Sequence, residues 1–167
     1  MTSVVLYLIR HARAAEQGDT YPDDSLRPLS DQGETQAQQL ASLLAAKGIR
    51  FDWLISSPYT RARQTAAPLV EHAERHTTLE TLATADYTAL LRDVHELLTA
   101  NALRPLQLAL VGHEPYLSEL ASHLLTGDPD GVFIDVKKAA LLCFRGKLAA
   151  GEMTLEMLVP YGLYQHL

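Results

Sequence analysis

Cysteine is almost absent: Cys143 is the one thiol in 167 residues. An internal disulfide is thereby excluded. Cys143 lies in the apolar run 139–144 and reads as a buried structural thiol, which fits a reducing, cytoplasmic location. Long hydrophobic runs are missing as well. No stretch reaches the roughly 20 apolar residues that cross a bilayer, and the N-terminus has no basic segment leading into an apolar core. No membrane association is expected. Positive charge is in deficit, with 14 Lys and Arg against 20 Asp and Glu and a net charge of -6. That balance argues against nucleic acid as a partner, yet leaves room for a local cationic pocket. There is no glycine-rich phosphate loop ending in Lys-Ser or Lys-Thr, and no dinucleotide fingerprint. His72 and His76 stand four apart and read as a surface pair or part of an irregular segment, not a zinc site. Neither a metal nor an organic cofactor is implied.

What is present is apolar material, 47% of the residues, enough to build one domain over 1–167. Val4 to Tyr7 lead into Leu8-Ile9-Arg10-His11, an apolar strand that ends in a guanidinium and an imidazole. Ligands of parallel α/β sheets sit at the carboxyl ends of strands, so this pair stands where chemistry is expected. A long polar loop, 12–29, follows. Such length points to function. Ser30 is predicted to cap a helix carrying Ala37, Leu40, Ala41 and Leu44, closed by Gly48. Phe51, Trp53, Leu54 and Ile55 form the second strand. Ser57 then reads as a helix cap with Pro58 at the first helical position.

Residues 77–79 are a weak third strand, and Asp86 caps a helix with Leu90, Leu91, Val94 and Leu98. Residues 106–111 are a core strand leading to Gly112-His113. A helix with Leu117, Leu120, Ala121 and Leu124 ends near Gly127. The segments 132–134, 139–144 and 153–159 read as β structure, the last two as an antiparallel hairpin. The pattern predicts an α/β three-layer sandwich with a mainly parallel central sheet and an antiparallel C-terminal hairpin.

Three strand ends thus carry related groups: Arg10 and His11, Ser57 and Arg61, Gly112 and His113. If the strands are neighbours, two arginines and two histidines converge. Such a set holds a phosphoryl group and stabilises charge on its equatorial oxygens, and one histidine can attack phosphorus.

The peptides Leu8-Ile9-Arg10-His11, Ser57-Pro58-Tyr59-Thr60-Arg61-Ala62-Arg63-Gln64-Thr65-Ala66 and Val111-Gly112-His113 resemble the three signatures of the histidine phosphatase superfamily. The resemblance implies a phosphoglycerate mutase-like fold, His11 as the nucleophile that becomes phosphorylated, Arg10 and Arg61 as the phosphoryl clamp, and His113 as the second histidine. Ala12 departs from the glycine that commonly continues the first signature; a small residue is expected to keep the turn.

The segments Arg27-Pro28-Leu29-Ser30 and Lys137-Lys138-Ala139-Ala140-Leu141 resemble those of bacterial protein phosphohistidine phosphatases. The partner implied is a phosphohistidine-bearing protein such as a phosphotransfer domain. Glu80 is the candidate general acid, with Asp86 as the second choice. Ser57 is either a pocket wall or a helix cap. Arg13 and Arg27 either bind the phosphate or an acidic partner, or are solvated loop residues. The competing readings are a broad phosphomonoesterase, a mutase, and a non-catalytic phosphate-binding module.

Overall fold

A computed structural model describes residues 3–98 and 104–167. Ten regular elements follow in order: β1 (Ser3–Arg10), α1 (Asp31–Lys47), β2 (Phe51–Ser56), α2 (Thr60–Ala66), β3 (Ala73–Thr78), α3 (Tyr87–Leu97), β4 (Leu106–Gly112), α4 (Tyr116–Thr126), β5 (Leu141–Lys147) and β6 (Met153–Val159). The six strands make one sheet in the order β3-β2-β4-β1-β5-β6. The pairs β1–β4, β4–β2 and β2–β3 are parallel, while β1–β5 and β5–β6 are antiparallel. This is the mainly parallel sheet with a C-terminal hairpin that the sequence predicts.

The three layers follow from the period of the strands. Alternate side chains of a strand point to opposite faces. Val4, Leu6 and Leu8 of β1 join a core with Leu90 and Val94 of α3 and Leu117, Leu120 and Leu124 of α4. Val5, Tyr7 and Ile9 join a core on the other face with Leu40 and Leu44 of α1 and Ala62 and Ala66 of α2. A strand buried on both faces needs apolar residues at every position, which is why β1 reads as a continuous run.

The helix ends obey local chemistry. Ser30 Oγ accepts from Gly33 N–H at 3.2 Å, and Gly48 adopts the left-handed conformation at φ 62°. Asp86 Oδ1 accepts from Ala89 N–H at 2.8 Å. Pro68 falls where α2 tightens into a 3-10 turn over Ala67–His72.

His72 is buried and only His76 is exposed, so the two are not a surface pair, and two strand expectations also fail. Residues 132–134 are not β structure. Val132 N–H donates to Ser122 Oγ at 2.9 Å, so a side chain of α4 does the work of a neighbouring strand, and Phe133 is left 89% exposed. The third strand begins at Ala73, four residues earlier than predicted. It is an edge strand of polar, mostly exposed residues, held by its ladder with β2 and not by an apolar pattern.

Candidate active site

β4 lies between β1 and β2, so the carboxyl ends of these three strands meet. Hydrogen bonds carry the register past the strands. His11 N–H donates to Gly112 O at 3.0 Å, Ser57 N–H to Val111 O at 2.9 Å, and Arg10 N–H to Ala140 O at 3.1 Å. The result is a pair of imidazoles with ring centroids 5.1 Å apart.

Both rings are buried, each residue 6% exposed. Burial, assisted by the surrounding cations, pushes His11 down to about 3 and His113 to about 4, so both are neutral at pH 7. His11 Nδ1 lies 2.7 Å from Ala12 O. A carbonyl only accepts, so Nδ1 carries the proton and Nε2 keeps its lone pair. His11 is therefore set as a neutral imidazole with one free nucleophilic nitrogen. His113 Nε2 and Ser57 Oγ share a 2.7 Å hydrogen bond, and Tyr59 packs its ring 4.9 Å from His113.

Arg61 is buried on the first turn of α2. Its Nη1 donates to Asp24 O at 2.7 Å and its Nη2 to Asp24 Oδ2 at 2.8 Å. Its Nε–H is buried without a partner, as is Arg10 Nε–H. Buried donors are normally satisfied, so these two N–H groups are the open anion-binding capacity of the site. Arg10 Nη1 donates to Val136 O at 2.7 Å. Burial lowers the Arg10 pKa from its ordinary value, while the charges of Glu114 and Asp135 oppose the shift.

The long loop after β1 is held by polar side chains. Ala12 N–H donates to Thr65 Oγ1 at 3.0 Å, Arg13 N–H to Gln36 Oε1 at 2.8 Å, and Leu29 N–H to Gln64 Oε1 at 2.7 Å. Thr65 Oγ1 in turn donates to Arg61 O at 2.7 Å, tying the loop to the helix that carries the arginine. Gly33 lies against the loop backbone: a Cβ there would stand 1.9 Å from Arg13 O. Ala12 is fully buried and does not need positive φ, so a non-glycine residue serves this turn.

The other candidates are scattered. Ser57 is not the helix cap. Tyr59 holds that position without a side-chain bond, Thr60 begins the helix, and Pro58 lies outside it. The Ser57 hydroxyl faces His113 and also accepts from Tyr59 N–H at 3.3 Å, ahead of the helix. Arg27 is fastened within the loop, with Nε to Asp24 Oδ1 at 2.8 Å and Nη1 to Ala15 O at 3.0 Å. Arg13 is exposed and donates to Gln32 Oε1 at 2.9 Å. Glu80 is exposed in a 3-10 turn after β3, and Asp86 is occupied as the cap of α3.

The sequence reading missed Asp24. Burial raises its pKa, but the hydrogen bond from Arg27 and the charge of Arg61 outweigh burial and hold the carboxyl below the usual range. It also missed Tyr59 and Thr65, which lie inside the second signature. Glu114 follows His113 directly. Burial pushes its carboxyl up, yet its Oε1 accepts from Ser118 N–H at 3.1 Å at the start of α4.

The two depressed histidines make stability pH-dependent. In the unfolded chain they take up protons near pH 6.5, whereas the folded protein resists protonation down to about 4 and about 3. Between those limits the unfolded state binds more protons, so stability falls as pH falls. The expected loss at pH 5 is on the order of 1–2 kcal/mol per histidine. Urea unfolding at pH 7 and pH 5 measures it. A midpoint that does not move contradicts the burial of neutral rings.

Comparison with known proteins agrees with this geometry. The family model of the histidine phosphatase superfamily (branch 1) matches residues 6–95. An uncharacterized protein of Picosynechococcus sp. is 34% identical over 149 residues, 86% of each chain. A broad-specificity phosphatase of Saccharomyces cerevisiae is 35% identical over 94 residues, 53% of this chain and 36% of that one. Among solved structures, the protein histidine phosphatase SixA complexed with tungstate superposes with a TM-score of 0.75 at 18% identity, covering 96% of this chain and 99% of that one. With its matched family model, its phosphoglycerate mutase-like sheet and its buried histidine pair, the chain belongs to the histidine phosphatase superfamily.

Proposed function

We propose that this phosphatase removes the phosphoryl group from phosphohistidine in proteins, through a phosphohistidine intermediate on His11. The observation that carries the reading is the state of the carboxyl groups. Asp24, in contact with Arg61, is held as a carboxylate and has no proton to give at neutral pH. Glu80 is exposed and Asp86 caps a helix, while Glu114, whose carboxyl burial pushes up, has one oxygen held by Ser118 N–H. An alkoxide leaving group depends on a positioned acid, whereas an imidazole leaves far more readily.

In the first step the His11 Nε2 lone pair attacks phosphorus and the P–N bond to the substrate imidazole breaks. The departing ring keeps the bonding electrons and takes up a proton, or leaves as neutral imidazole if it was already protonated. Arg10 and Arg61 present N–H groups to the equatorial oxygens, and His113 donates to the same group by exchanging its Nε2 contact with Ser57 Oγ for a phosphoryl oxygen. Water then attacks the phosphorylated His11, releasing orthophosphate and restoring the free Nε2.

The test compares kcat/KM on a phosphohistidine peptide with that on an aryl phosphate, in the parent and in Glu80→Gln. The parent is expected to prefer phosphohistidine. The variant is expected to change neither rate by more than about twofold, because an exposed Glu80 delivers no positioned proton, whereas a working general acid would be worth about 10²–10⁴-fold to an ester. A large loss confined to the ester in the variant would make Glu80 a working acid and contradict the leaving-group argument. A parent that prefers the ester moves the reading to a broad phosphomonoesterase, the alternative favoured by the similarity to the yeast broad-specificity phosphatase.

A further inference from the structure

Beside the phosphoryl-binding arginine lies an open basin of about 540 Å³. Arg10 forms one wall, and Arg13, Lys137, Lys138 and Tyr161 are among the others. Four of its lining residues are cationic and none is acidic. In a chain of net charge -6 this is a local inversion of sign. The inversion is dense enough to act on its own members. Burial lowers the Lys138 pKa, and the charges of Arg10, Arg27, Arg13 and Arg61 lower it further.

The internal partners of these cations are weak or neutral. Arg13 is bonded to the Gln32 amide, and Arg10 to a backbone carbonyl. Lys137 pairs with Asp135 at 2.6 Å, but both side chains are more than half exposed. Such a surface pair holds little free energy and gives way to a competing carboxylate. Arg10 ends β1, Arg13 follows His11 by two residues, and Lys137 and Lys138 lie just before β5, the strand that pairs with β1. An anion in the basin therefore sits next to whatever phosphoryl group Arg10 holds.

We propose that this basin docks the carboxylates of an acidic segment adjoining the phosphorylated residue of a protein substrate. The proposal rests on the reading of the substrate as a phosphorylated protein. Its physical content is charge complementarity. The body of the molecule repels an acidic partner, and the basin is the place where that repulsion reverses. The partner is thus steered to arrive with its phosphorylated residue over His11.

The experiment uses four peptides: phosphohistidine or phosphotyrosine, each with acidic or neutral flanks. They are assayed with the parent and with the double variant Lys137→Gln, Lys138→Gln. The parent is expected to favour acidic flanks with either phosphorylated residue, and the variant to lose that preference. For two exposed cations the loss is roughly three- to tenfold in kcat/KM, with neutral-flank peptides unchanged within about twofold. The preference should also shrink as ionic strength rises from about 0.05 to about 0.5 M. Equal rates on acidic and neutral peptides in the parent overturn the proposal, and so does an equal loss on both in the variant. The phosphotyrosine arm keeps the two readings separate. Failure of phosphohistidine turnover with retained acidic preference refutes the substrate and leaves the basin standing.

Discussion

His11→Ala is expected to lower kcat by roughly 10⁴-fold or more, the scale reached when a nucleophile is removed from an enzyme that works through a covalent intermediate. In the proposed mechanism the free Nε2 is the atom that bonds to phosphorus, and nothing replaces it. His113 stands with its ring centroid 5.1 Å away, but its Nε2 is committed to Ser57. Rapid-quench mass spectrometry of the parent with substrate should show one phosphoryl adduct on the peptide containing His11, and none in the variant. His11 is only 6% exposed, so its removal also acts on the fold. The Ala12 carbonyl loses its donor, a cost of about 1–3 kcal/mol if no water replaces it. A second variant, His11→Asn, keeps an amide N–H near that carbonyl and still lacks the nucleophile. A folded Asn variant with parental turnover rules His11 out.

Arg61→Lys is expected to cost roughly 10²-fold or more in kcat/KM, although the charge is conserved. Asp24 engages both terminal nitrogens of Arg61 and leaves the Nε–H edge for an anion. A lysine offers one ammonium in place of this fork. It cannot hold Asp24 and a phosphoryl oxygen in fixed directions at once. The guanidinium also packs 5.0 Å from the centre of the Tyr59 ring, a contact that an ammonium makes with different geometry. Steady-state kinetics with folding monitored by circular dichroism decide the matter. Parental kinetics in a folded variant would place Arg61 outside the phosphoryl contacts.

The strands that form the sheet centre are legible because burial on two faces leaves a continuous apolar run, as in β1 and β4. The helix ends at Ser30, Gly48, Asp86 and Gly127 are legible because capping is a local transaction between a side chain and the next turn. The convergence of Arg10, His11, Arg61 and His113 needs only the rule that ligands gather at carboxyl strand ends. Other features depend on partners far along the chain. Nothing local distinguishes Asp24 from Asp23, yet Asp24 meets Arg61, 37 residues on. Ser57-Pro58 has the form of a cap, and the hydroxyl does accept from Tyr59 N–H, but nothing local announces its second partner, His113, 56 residues on. Ala139 reads as a strand residue but has φ 58°, the one positive φ at a non-glycine among the described residues. That conformation costs an alanine about 1–2 kcal/mol. The Tyr164 hydroxyl, from the far end of the chain, donates to Ala139 O and helps hold it there.

The contact between Gly33 and the Arg13 carbonyl bears on whether this site can be transplanted. A designer who grafts the three signature peptides onto another α/β sheet carries the reacting groups and leaves their gauge behind. The distance between loop and helix is set by the missing Cβ at position 33. Any side chain there would push the loop away from α1, and with it the Ala12 carbonyl that fixes the His11 tautomer. The smallest portable unit therefore adds the whole stretch from β1 through α1 to the other two signatures, and its least replaceable member is a glycine that touches no reacting atom.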